Sequence, residues 1–514
     1  MTGTFAALAA VLTLSLPTVR AVAGAKSQAL GQKKAASQVS PKPVRISAKA
    51  SSQGQWTAPA NLCPPDNICP VGINAALLYT GQVLLWQYPQ TSSYNSIAVL
   101  LNPTTGAVTD VSVPFDWDIF CSGLSILSDG RVLVAGGTVK GAPNSNSGEN
   151  YTTLFDPATS TWTAGNLMSY ARWYPSTILL PKGTVLVMSG DNETGTGFQL
   201  ALESYDPGTG VWKTLPPSAD LVEGSMYVYP RLSLLPSGKV VYTSPVQNSY
   251  VFDPVANTWS VGAKTLFGHR YFAGHALLPG LEKILVAGGT SSGLNGGGTA
   301  TNTAEVIDYS QSKPVWTYTG SMTYARYNEN LVLLADGTVL AVGGGGGGGH
   351  YTNPVMTPEL YDPTTGVWTT MAPQQVQRTY HSSALLLPDG RVLSAGSDYG
   401  TQRQTYEIYS PPYLFNGAQP VITSVQSSVL YGAKFTFSTP DAASITRVAL
   451  IRPGATTHAD NFDQRYVDLV YTLGNGQITA TAPASADYAP PGYYMLVIVN
   501  SSGVPSVMPF IKLD

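Results

Sequence analysis

The sequence predicts an all-β protein: a ring of seven repeated four-stranded sheets followed by a smaller β-sandwich. Three observations carry that prediction. An apolar strand, a turn with glycine and a second apolar strand recur seven times; most copies are followed by Tyr/Phe-Asp-Pro and a tryptophan; and from about residue 410 the repeat gives way to short alternating strands. Only 11% of the 514 residues are charged, beside 52 glycines and 38 prolines, which suits turn-rich β structure. A net charge of -3 without a concentrated basic face argues against a nucleic-acid partner. The length calls for at least two domains.

Residues 1–25 are expected to be a signal peptide. An apolar run from Phe5 to Leu16 precedes Pro17 and the small-residue site Ala21-Val22-Ala23. The run is shorter than the roughly 20 residues of a membrane span, so the mature protein is expected to be secreted, without a membrane span. Residues 26–56 read as a disordered spacer, with Lys26, Lys33, Lys34, Lys42, Arg45 and Lys49 set among Ser, Ala and Gln. In an exported chain Cys63 and Cys69, within CPPDNIC, are expected to form a local disulfide. Cys121 is left over, either buried and inert or committed to other chemistry.

The repeated hairpins begin at Ala75, Leu124, Thr177, Leu232, Ala276, Leu331 and Ala384. Their turns centre on Gly81, Gly130, Gly183, Gly238, Gly337 and Gly390, with Glu282 standing in the fifth copy. A period of roughly 50 residues with four short strands per unit is the pattern of a kelch-type β-propeller, here of seven blades over 57–409. Trp162, Trp212, Trp259, Trp316 and Trp368 fall at one repeat position and are expected to pack between blades. The run Gly343 to Gly349 before His350 reads as a flexible loop, since no Lys-Ser/Thr follows it. After a Pro-rich boundary at 410–418, seven short strands through 514 read as an immunoglobulin-like sandwich.

In a propeller, one repeat offset is one ring around the axis. Nine residues before each turn centre the copies read Gly72, Cys121, Tyr174, Tyr229, Ala273, Asn328 and His381, with Tyr380 one step earlier. A purely structural position would repeat small or apolar residues; this one varies in chemistry. His458 lies in THADNFDQR, a polar stretch between two sandwich strands, from which an imidazole can reach the axis. His269, His275 and His350 show no matching pattern and read as loop or packing residues. Two imidazoles and two phenolates suit Cu(II) better than zinc, in competition with a non-catalytic propeller ring.

The segments DIFCSG (118–123), RWYPS (172–176), RTYHS (378–382) and THADNFDQR (457–465) resemble those of the copper radical oxidases, the galactose oxidase and glyoxal oxidase family. They occur in the family's order, and the resemblance spans 57–514. It implies a single copper ion held by Tyr174, Tyr380, His381 and His458. It implies a thioether between Cys121 and Tyr174, with Tyr174 carrying the radical and Tyr380 acting as axial ligand and general base. The implied reaction removes two electrons from a small aldehyde or primary alcohol and reduces dioxygen to hydrogen peroxide. Where galactose oxidase stacks a tryptophan on the thioether, this chain has Asn192, so that Trp173 either takes over the shielding or simply packs. That departure and the absence of an N-terminal carbohydrate-binding domain favour the glyoxal oxidase branch. Arg172, Arg326 and Arg378, near the same rim, are candidates to hold substrate, while Asp116 and Asp118 read as turn residues. The enzyme is expected to act as a monomer. The competing functions are a propeller that binds a glycan or protein, as fold does not fix function, and a sialidase-like glycoside hydrolase, which needs paired rim arginines and an acid/base carboxylate.

Overall fold

The computed structural model describes residues 48–65, 68–89, 95–139, 146–221, 227–292, 298–398 and 403–514. The expected signal peptide and most of the spacer lie outside them. Seven antiparallel sheets form the propeller, and their innermost strands run from Asn74–Leu77, Gly123–Ile126, Ser176–Leu179, Leu232–Leu234, Gly274–Leu277, Tyr327–Leu333 and Ser382–Leu386. The first two strands of each blade are buried along almost their whole length, whereas outer strands such as Val211–Thr214 and Val367–Thr370 alternate. Inner strands are covered on both faces by neighbouring blades, which is why they read as unbroken apolar runs.

The repeat tryptophans pack against the preceding blade. Trp162, Trp212, Trp259 and Trp316 donate through Nε1 to Val111 O, Thr152 Oγ1, Ala219 O and Ser249 Oγ at 2.6–2.8 Å. The last blade holds Ser382–Leu386, Val392–Gly396 and Thr405–Ser410, and is completed from the other end of the chain by Gln55–Trp56 and Ala60–Asn61. This corrects the end of the expected spacer: Ala48–Gln53 is helical and Trp56 pairs with Tyr409. Burial of Trp56, whose Nε1 donates to Ala372 O at 2.8 Å, supplies the apolar anchor that the polar residues before it lack. Cys63 and Cys69 are joined by a disulfide.

Two further expectations shift. Gly343 to Gly345 are the end of strand Val339–Gly345 rather than loop. Their missing side chains admit the neighbouring blade: Gly344 N donates to Arg378 O at 2.7 Å, and a Cβ on Gly343 would meet that same carbonyl. In the fifth blade Leu281, not Glu282, is the turn centre, with φ of 66° and its N–H on Leu278 O. Counting from it moves the ring residue from Ala273 to Phe272.

The sandwich has a five-stranded and a three-stranded sheet around Phe435, Phe437, Val448, Leu450, Ile478 and Leu496. Its strand Ile445–Arg452 leaves the sandwich as a hairpin, Ala455–Thr457 and Asp460–Asn461, before returning as Arg465–Asp468. Within the propeller that hairpin pairs with Asn74–Leu77, the innermost strand of the first blade. No described helix is long and apolar enough to cross a membrane.

Candidate metal centre

All seven ring residues have left-handed backbone. Gly72, Cys121, Tyr174, Tyr229, Phe272, Asn328 and His381 have φ between 46° and 63°, a region that residues with a Cβ seldom adopt and that concentrates at functional sites. Backbone hydrogen bonds run from blade to blade through this ring: Tyr174 N to Cys121 O, Tyr229 N to Tyr174 O and Asn328 N to Phe272 O, each 2.8 Å. His458 and Ala459, at the tip of the hairpin, also have positive φ, 50° and 66°, as a two-residue type I′ turn requires. Arg231 anchors that tip. Its guanidinium donates to His458 O and Tyr229 O at 3.0 Å and to Ala273 O at 3.2 Å.

The five residues expected to form the site are brought together. Tyr174 Oη lies 2.5 Å from Tyr380 Oη and 2.9 Å from His458 Nε2. The His381 ring is 3.8 Å from that of Tyr380 and 4.6 Å from that of His458. Cys121 is fully buried, its thiol within hydrogen-bond reach of the Tyr174 side chain. Trp173 stacks on Tyr174 at 3.7 Å and 10° between planes, and Tyr229 stacks on it at 4.5 Å and 27°.

The donor set fits a metal ion that accepts nitrogen and phenol oxygen. His381 Nε2 is buried without a partner, and the Tyr174 phenol oxygen meets both Tyr380 Oη and His458 Nε2. Among the described residues no cluster of three or more His, Cys, Asp or Glu is placed to hold a metal, so a metal here depends on the phenols. Burial pushes both phenols well above the usual tyrosine range. Burial, with His381 close by, holds the His458 imidazole well below the usual range. These shifts favour neutral forms of Tyr174, Tyr380 and His458, and a bound cation would reverse the preference at the phenols.

Arg172, Arg326 and Arg378 are not substrate ligands in this arrangement. Each is almost wholly buried and paired with a buried glutamate, Glu203, Glu359 and Glu407, at 3.0, 2.7 and 3.5 Å. Arg270 repeats the pattern with Glu305 at 2.6 Å, and each glutamate also accepts backbone N–H groups such as Ser169, Leu266, Thr323 and Gln375. The pairs are a device of the repeat. Asn192 is likewise occupied away from any shielding role, its Oδ1 accepting from Thr194 and Thr196. Asp118 is buried, accepts from Ser96 Oγ and Phe120 N, and burial pushes its carboxyl up to about 7.

Four neighbours of the site were given no role in it from the sequence, His350 having been read as a loop or packing residue. Tyr229 was visible on the ring, and its phenol donates to Ser122 O at 3.0 Å. His350 stacks on Tyr380 at 4.2 Å and contacts Asn328 through Nδ1 at 3.2 Å. Phe120 stands edge-on to His381 at 5.3 Å. Asp398 Oδ2 meets His381 Nδ1. Asp398 lies eight residues after Gly390, an offset at which the third blade has Asp191 and the other blades have no carboxylate, so the repeat did not mark it.

Comparison with known proteins places this geometry. The glyoxal oxidase N-terminus family model matches residues 89–413, and the galactose oxidase-like early set domain model matches 419–513. A galactose oxidase from Gibberella zeae is 30% identical over 474 residues, covering 84% of this chain and 67% of that protein. The aldehyde oxidase GLOX of Vitis pseudoreticulata is 29% identical over 468 residues, covering 81% and 85%. A fungal alcohol oxidase solved in complex with copper superposes with a TM-score of 0.78 at 27% identity, covering 90% of this chain and 100% of that one. With more than half its length matched by the family model, the chain belongs to the glyoxal oxidase and galactose oxidase family.

Proposed function

We propose that this copper-dependent oxidase takes two electrons and two protons from a small aldehyde, as its hydrate, or from a primary alcohol, and passes them to dioxygen as hydrogen peroxide. The observation that carries the reading is the Tyr174 phenol, held within 2.9 Å of His458 Nε2 and 2.5 Å of Tyr380 Oη with the Cys121 thiol within hydrogen-bond reach of its side chain. Tyr174, Tyr380, His381 and His458 would hold the copper. When bound there, copper supplies a Lewis acid for the substrate oxygen and one one-electron acceptor, and the oxidised, thioether-linked Cys121–Tyr174 pair supplies the other.

The remaining parts belong to the chain. Tyr380 Oη, made a phenolate when copper is bound, would take the substrate hydroxyl proton. Trp173 covers one face of Tyr174 and excludes water from the ring that carries the unpaired electron. The glycoside hydrolase alternative loses its arginines, since Arg172, Arg326 and Arg378 are buried against glutamates. The export signal over 1–25 and the Cys63–Cys69 disulfide support a secreted protein, acting as a monomer.

Peptide mass spectrometry tests the reading. After copper loading in air the peptides holding Cys121 and Tyr174 should run as one species, lighter by two hydrogens than their sum. Cys121→Ser should abolish the linked species and lower peroxide release from aldehydes and primary alcohols by orders of magnitude. A free Cys121 in the active, copper-loaded protein would overturn it.

A further inference from the structure

We propose that Asp398 is a positioning residue for the copper site, setting the tautomer of His381 and strengthening its Nε2 as a donor. The inference rests on the copper reading above. An imidazole can turn only one nitrogen to a metal, and the group on the other nitrogen decides which one is free. His381 Nδ1 meets Asp398 Oδ2, an oxygen that accepts, so the ring proton belongs on Nδ1. The lone pair is then on Nε2, the atom that is buried without a protein partner, in a ring that stacks on Tyr380 at 3.8 Å.

Asp398 is itself held. Its other oxygen accepts from Tyr88 Oη at 3.4 Å. Tyr88 comes from the first blade and Asp398 from the last, so the contact crosses the seam where the propeller closes. Tyr88 also stands edge-on to Phe120 at 5.1 Å, and Phe120 edge-on to His381 at 5.3 Å. The imidazole is thus constrained at its nitrogen and on its face.

His458 is held differently. Its Nδ1 lies 2.6 Å from Thr457 Oγ1, a hydroxyl that can donate or accept and so fixes no tautomer. The two imidazoles are therefore not equivalent, and His381 is the one with a carboxylate behind it.

The experiment uses the full chain stripped of copper, comparing wild type with Asp398→Ala, Asp398→Asn, Asp398→Glu and Tyr88→Phe. Cu(II) affinity is measured by competition with a chromophoric chelator, nitrogen hyperfine couplings by EPR of the loaded proteins, and folding by apo-protein Tm. Removing such a partner typically weakens metal binding by about 10–100-fold. Asp398→Ala and Asp398→Asn should show that loss with altered couplings, Asp398→Glu should recover most of it, and Tyr88→Phe should show a smaller loss. If Asp398→Ala fails to fold, Asp398→Asn and Tyr88→Phe carry the comparison. Variants that fold and bind copper with wild-type affinity and couplings overturn the proposal, while a wild type that binds no copper overturns the reading beneath it.

Discussion

At the scale of single residues, the centre is built from side chains held where neither backbone nor solvation favours them. Left-handed backbone costs a residue with a Cβ roughly 1–2 kcal/mol, and the ring adopts it at Cys121, Tyr174, Tyr229, Phe272, Asn328 and His381. The blade-to-blade hydrogen bonds donated by Tyr174, Tyr229 and Asn328 help to offset that cost at those positions. Glu329, beside Asn328, shows the solvation side: it is wholly buried, accepts from Gly274 N at 3.2 Å, and burial pushes its carboxyl up to about 8. A carboxyl raised in the folded state binds a proton that the unfolded chain has released. Its contribution to stability is complete below the unfolded value and is lost as pH rises through about 8. Wild-type Tm should therefore fall between about pH 5 and pH 9, and Glu329→Gln, neutral throughout, should make that limb shallower, most of all above about pH 7, where the Asp118 contribution is already lost. Thermal unfolding of both proteins across this range is the check, and parallel curves would exclude Glu329 as the source.

At the scale of elements, two devices repeat or intrude, and the sequence exposes them unequally. Cys121, Tyr174 and His381 were legible because a repeat offset becomes a ring, and His458 because its stretch was too polar for a sandwich core. The arginines were misread because Arg172, Arg326 and Arg378 precede ring residues, while their glutamates lie about 30 residues away on another strand of the blade and no local pattern joins them. Asp398 was hidden for a related reason: its offset reads Pro89, Thr138, Asp191, Val246, Gly289 and Gly345 in the other blades, so nothing marks one aspartate as special until the fold places it on His381. The ion pairs make a clear prediction. Removing one partner of a buried pair costs about 3–5 kcal/mol, so Arg326→Met should lower Tm sharply while the folded fraction keeps the wild-type KM for aldehydes. A raised KM without a stability loss would restore Arg326 as a substrate ligand.

At the scale of the molecule, the ring closes with strands from both ends of the propeller segment, and the closure is part of the site. The seam between first and last blade is spanned by Tyr88 on Asp398 and by Ser383 Oγ donating to Gly72 O at 2.8 Å. The outer edge of that last blade is Gln55–Trp56, whose tryptophan is buried, 5.0 Å from the Tyr409 ring. Truncating such an aromatic to alanine costs about 3–5 kcal/mol, and here the lost packing lies in the sheet that carries His381 and Asp398. Trp56→Ala should therefore lower Tm and also weaken copper binding, because a loosened last blade no longer holds Asp398 against a residue of the first. The packing of Trp162, between the first and second blades, is a control of similar size: Trp162→Ala should lower Tm with a smaller effect on copper affinity. Equal copper loss in both variants would mean that affinity follows global stability and not closure of the seam.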